Sequence, residues 1–111
     1  MTIGVGRASA ERAVAMCEAH PEVYAAIGVH PHDADAFTEA DLAWIRELGA
    51  HPKVVAVGEC GLDRHRDYAE PAAQVRAFVA QIGVARELGL PVVVHTRAAG
   101  VAPLRVSLSH I

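Results

Sequence analysis

Lys53-Val54-Val55-Ala56-Val57-Gly58 is a short run, almost wholly apolar and rich in β-branched residues, set between His51-Pro52 and the acidic Glu59. Such a run is the pattern of a strand buried on both faces, as in a parallel sheet covered by helices. Upstream, Thr38 with Asp41 is a capping-box signature opening a helix that carries Leu42, Ile45 and Leu48 inward, and His51-Pro52 closes it. Before that helix, Val23 to Gly28 reads as a second strand. Ala10, Val14 and Cys17 mark one face of a helix ended by Pro21, and Ile3 to Gly6 reads as the first strand. Downstream, a polar loop from Glu59 to Glu70 leads to a helix starting at Pro71 and stopping at Gly89, with Val75, Phe78, Val79 and Ile82 as its apolar face. Pro91 to His95 is the fourth strand, and Thr96 to Ile111 shows no sustained period. Strands alternate with connections of helix length, which predicts an α/β fold with a parallel sheet. About four strands in 111 residues make at most half of a closed eight-stranded barrel, which runs to roughly 250 residues.

The composition narrows the class. With 52% apolar and 21% charged residues the chain reads as one globular domain, and no apolar run approaches the ~20 residues of a bilayer span. Met1-Thr2-Ile3-Gly4 is not a secretory leader, and Cys17 and Cys60 stand far apart without a Cys-x-x-Cys pair, so a reducing, cytoplasmic setting is expected. A net charge of −3 excludes a generally basic surface for nucleic acid, so any phosphate contact must be local. Nine arginines and seven histidines supply donors and metal ligands for such a local site.

In parallel α/β folds the chemistry gathers at the C-terminal ends of the strands. Three successive strands here end in His30 and His32, in Glu59 and Asp63, and in His95 and Arg97. Imidazoles and carboxylates converging on one rim are the ligand set of Zn, Mn or Mg. A carboxylate such as Glu59 at a partly buried rim needs a cation or donors to remain charged there. His20 and His51 precede strands and read as turn residues at the opposite rim, His65 reads as solvated, and His110 lies in the unpatterned tail. Gly4-x-Gly6-x-x-Ser9 has the position of a dinucleotide turn, but it lacks the third glycine. The second strand then ends in Gly28-Val29-His30 rather than in an acid for a ribose, so that reading is not adopted.

Gly28-Val29-His30-Pro31-His32, Val55-Ala56-Val57-Gly58-Glu59-Cys60-Gly61-Leu62-Asp63, Gln74 with Phe78, and Leu90-Pro91-Val92-Val93-Val94-His95-Thr96-Arg97 together resemble the TatD family of metal-dependent deoxyribonucleases. The resemblance is collinear over about residues 3–99 of a single partial domain, with 100–111 as a divergent tail. It implies an amidohydrolase-like (β/α)8 barrel of which this chain holds part. It also implies hydrolysis of phosphodiester bonds in DNA with divalent Mg, Mn or Zn. By resemblance Glu59 is the metal-bridging catalytic carboxylate, His95 a metal ligand, and His30 and Arg97 contacts to substrate. The family's opening His-x-His strand has no counterpart here, and Ala98 replaces the acid that usually follows Arg97. The remaining ligands would lie beyond residue 111. Little or no turnover is therefore expected of the 111-residue chain by itself. DNA is the expected partner and no membrane is. The alternative is a non-catalytic remnant, or a partial barrel that associates with itself or another chain through exposed strand edges.

Overall fold

The computed structural model describes residues 1–63 and 69–97. Arg64, Arg66, His65 and His110, and the side chain of Arg97, lie outside what is described.

Strand β1 (Thr2–Val5) leads to helix α1 (Arg7–Ala19), strand β2 (Ala25–Gly28), a short 3-10 helix (Pro31–Ala36) and helix α2 (Glu39–Gly49). Strand β3 (Val54–Asp63), helix α3 (Pro71–Leu88) and strand β4 (Val92–Arg97) complete the order. The strands form one sheet in the order β1-β2-β3-β4, and all three pairings are parallel. The four-stranded parallel α/β reading is thus the observed architecture. Every strand direction is the same, so the strand C-termini share one rim.

Local chemistry explains the helix ends. Thr38 accepts from the Ala40 N–H, and the Asp41 carboxylate accepts from the Thr38 N–H, which completes the expected capping box. Pro71 occupies the first turn of α3, where its missing N–H has no partner to lose, and Gly89 ends the helix in the left-handed conformation. The helices pack side by side against the sheet, α1 on α2 and α2 on α3. Ala10, Val14 and Cys17 of α1 meet Ile27 of β2, Ile45 of α2 and Val57 of β3 in the main core. Leu42 and Leu48 lie partly buried against it.

Two expectations are corrected. The third strand does not stop at Gly58 but continues to Asp63, because β4 pairs along it through Cys60↔Val94, Gly61↔His95 and Asp63↔Arg97. Glycines at the crossing make that approach feasible. A Cβ on Gly61 would lie 2.1 Å from the His95 carbonyl oxygen and one on Gly58 2.5 Å from that of Val93, and both have positive φ. Glu59 therefore sits within a strand rather than in the loop after it, and β4 runs past His95 to Arg97. The second correction concerns α3. Phe78 and Ile82 are buried as expected, but Val75 and Val79 are 48% and 53% exposed. The helix is turned so that Gln74 and Gln81, one heptad apart on the same face, point inward instead.

Candidate metal centre

Glu59 projects from β3 into a cluster of imidazoles, His30 from the loop after β2 and His95 from β4. Its Oε1 is 3.2 Å from His30 Nε2 and 3.5 Å from His95 Nδ1. One ligand atom from each of His30, Glu59 and His95 lies within 4.8 Å of the others, and all three side chains are partly buried. The convergence expected from strand order is what the structure shows: Glu59 and His95 meet at one rim with His30 beside them. Two imidazole nitrogens and a carboxylate oxygen form a donor set that suits Zn and Mn, with Mg served chiefly by the carboxylate. Burial, together with the nearby His32 and His95, holds the His30 imidazole below its ordinary value, against the opposing pull of Glu59 and Asp33. Neutral imidazole is the form that binds a metal.

A second carboxylate underlies this cluster. Asp63 is fully buried, and its Oδ2 accepts from His32 Nε2 at 2.8 Å and from His95 Nε2 at 3.1 Å. Both residues follow from the strand order, but their mutual bond carried no signal in the spacing. The inward glutamines of α3 were likewise missed as parts of the site. Gln74 Oε1 accepts from the Asp63 main-chain N–H at 2.8 Å, and its Nε2 donates to the Asp63 carbonyl at 3.1 Å. Gln81 treats Val29 in the same way, at 2.8 and 3.1 Å. A primary amide offers a donor and an acceptor side by side, so each glutamine closes a ring with one residue's backbone and fixes a strand end that carries site residues. Both glutamines thereby satisfy main-chain groups at the buried rim.

His51 and His20 lie away from the site, as expected of turn residues. His51 Nδ1 accepts from the Lys53 N–H, closing the turn before β3, and His20 rests 3.8 Å from Glu22. Gly6 opens α1 without a side-chain cap.

Parallel strands with covering helices, and a carboxylate–imidazole cluster at their C-terminal rim, define a segment of a (β/α)8 barrel with a candidate metal centre. The family described as TatD related DNase matches residues 1–108, and the chain belongs to that family. The match runs past residue 99, where the resemblance read from the motifs ends. The chain is 48% identical over 99 residues to the uncharacterized metal-dependent hydrolase YabD of Bacillus subtilis, covering 89% of this chain and 39% of that protein. It is 43% identical over 97 residues to the 3'-5' ssDNA/RNA exonuclease TatD of Musicola paradisiaca, covering 86% and 37%. The crystal structure of YjjV, a TatD homologue from Escherichia coli K12, superimposes with a TM-score of 0.78 at 30% identity, over 86% of this chain and 38% of that one. The chain thus spans under two fifths of the length of each of these relatives. None of the helices among the described residues is long and apolar enough to cross a membrane.

Proposed function

We propose that these residues form one side of the catalytic centre of a divalent-metal-dependent deoxyribonuclease that hydrolyses phosphodiester bonds in single-stranded DNA. The observation that carries this reading is the approach of Glu59 to both His95 and His30 across three adjacent strands. Glu59 and His95 are the residues that would hold the metal. A divalent ion so held supplies charge for the phosphate oxygens and lowers the pKa of water. The chain's own part is to aim the carboxylate and imidazoles at one point and to keep them partly screened from solvent, where their charge acts more strongly. Arg97, at the end of β4, is assigned to the substrate phosphate, for which a guanidinium is suited by its forked donors. The named activity of the Musicola paradisiaca relative supports single-stranded nucleic acid as the substrate class. The free thiols of Cys17 and Cys60 fit a cytoplasmic setting.

The test is a chimera in which residues 1–97 replace the matching segment of the Musicola paradisiaca exonuclease. Release of nucleotides from single-stranded DNA with Mg or Mn, abolished by chelator and cut by orders of magnitude in Glu59→Gln, is the expected result. Turnover indifferent to Glu59→Gln in a folded chimera would overturn the reading. For the 111-residue chain alone, little turnover is expected, since it spans under two fifths of the length of the relatives it matches.

A second reading is favoured by the sheet itself. Among the described residues β1 and β4 each have one neighbour, and Ile3 and Val94 are 42% and 48% exposed. Such edges offer unpaired main-chain groups to another chain, so self-association is the proposed non-catalytic behaviour. Light scattering on the 111-residue chain tests it: a stable dimer is expected, and a monomer at high concentration would contradict it.

A further inference from the structure

On the metal-centre reading above, we infer that the two imidazoles flanking Glu59 have opposite tasks. Buried Asp63 is the positioning residue that holds His95 in the tautomer with its Nδ1 lone pair toward Glu59, whereas His30 is held in the tautomer that donates to Glu59.

The assignment follows from what each second nitrogen meets. His30 Nδ1 is 3.2 Å from the main-chain nitrogen of His32, and a main-chain N–H only donates. His30 Nδ1 must therefore present its lone pair, and the neutral ring carries its proton on Nε2. That proton faces Glu59 Oε1 at 3.2 Å. Binding a metal through Nε2 would move the proton to Nδ1 and set it against the His32 N–H, losing one hydrogen bond and creating a donor-to-donor contact. His30 thus serves as a donor that orients the carboxylate.

His95 stands the other way round. Its Nε2 is 3.1 Å from Oδ2 of the buried Asp63, an oxygen that accepts. The neutral His95 ring then carries its proton on Nε2 and turns the Nδ1 lone pair toward Glu59 Oε1, 3.5 Å away. Two electron pairs facing one another across that distance is the arrangement a shared cation resolves. A carboxylate behind a metal-binding imidazole fixes its tautomer and raises its basicity. Asp63 is accordingly a positioning residue for His95. His32 donates to the same Oδ2 at 2.8 Å and positions Asp63 in turn.

The experiment is long-range 1H–15N NMR of the imidazoles in the 15N-labelled 111-residue chain, without and with zinc. Without zinc, His30 and His95 should both be protonated on Nε2. Zinc should move His95 Nδ1 and leave the His30 Nε2 proton in place. Asp63→Asn should weaken zinc binding by about tenfold or more, and zinc should still bind in His30→Gln. A proton on His95 Nδ1 in the zinc-free spectrum, zinc moving His30 Nε2, or unchanged affinity in Asp63→Asn would each overturn the inference. Zinc that perturbs neither neighbour of Glu59 would defeat the metal-centre reading instead, while the zinc-free tautomers of the wild-type chain would still decide the role of Asp63.

Discussion

His95 Nε2 and His32 Nε2 both reach the same oxygen of Asp63, at 3.1 and 2.8 Å, so a single buried carboxylate ties the loop after β2 to β4 across the end of β3. The rim is therefore a connected unit rather than three independent strand ends. Side-chain amides of Gln74 and Gln81 on α3 hold that unit from behind, and their removal should be felt as lost stability.

Gln81→Ala should cost about 2–4 kcal/mol, because it leaves the buried N–H and carbonyl of Val29 without partners. Urea unfolding followed by circular dichroism measures this. A loss no larger than that of an exposed helix substitution such as Val75→Ala would show that the amide ring around Val29 contributes little.

Gly61→Ala should be more damaging. The added methyl would meet the His95 carbonyl oxygen at 2.1 Å, in a conformation with φ +136° that L residues rarely adopt. Strain of about 1–3 kcal/mol adds to the displacement of β4. The variant should unfold at markedly lower urea concentration or be recovered insoluble, and wild-type stability would contradict the close approach of β3 and β4.

Much of this was legible in sequence because it depends on local pattern. The apolar run at Val54–Val57 and the Thr38/Asp41 box each declare their element within a few residues. Glu59 and His95 could be placed at one rim by strand order alone. What escaped the sequence rests on packing between distant segments. The extension of β3 to Asp63 requires β4 beside it, and the inward turn of Gln74 and Gln81 follows from backbone groups on other strands. A pattern reading assigns glutamine to solvent and valine to the core, so Val75 and Val79 were turned the wrong way.

His30 should make the metal-free fold sensitive to acid. Its native value lies below 6.5, chiefly through burial, so on acidification the unfolded chain takes up a proton before the native one does. Stability from this group is present above 6.5 and is lost as pH falls through the native value. Urea midpoints across that range should fall less steeply in His30→Gln than in the wild type. Identical slopes would show that His30 titrates normally.

Cys60 should behave as an inert thiol. Burial, with the Glu59 charge adding to it, pushes it from 9.0 up to about 12. Near neutral pH the native chain should resist alkylation at Cys60 until denaturant is added. Above 9.0 the unfolded thiol ionises while the native one does not, so stability should decline as pH rises. Rapid modification of Cys60 in the native chain would contradict its burial.

The most direct test of the metal centre is anomalous diffraction from crystals soaked in Mn, collected above and below the manganese edge. An anomalous peak should appear within bonding distance of the Glu59 carboxylate and His95 Nδ1 and be lost in Glu59→Gln. A fully occupied peak at His20 or His51, with none beside Glu59, would contradict it.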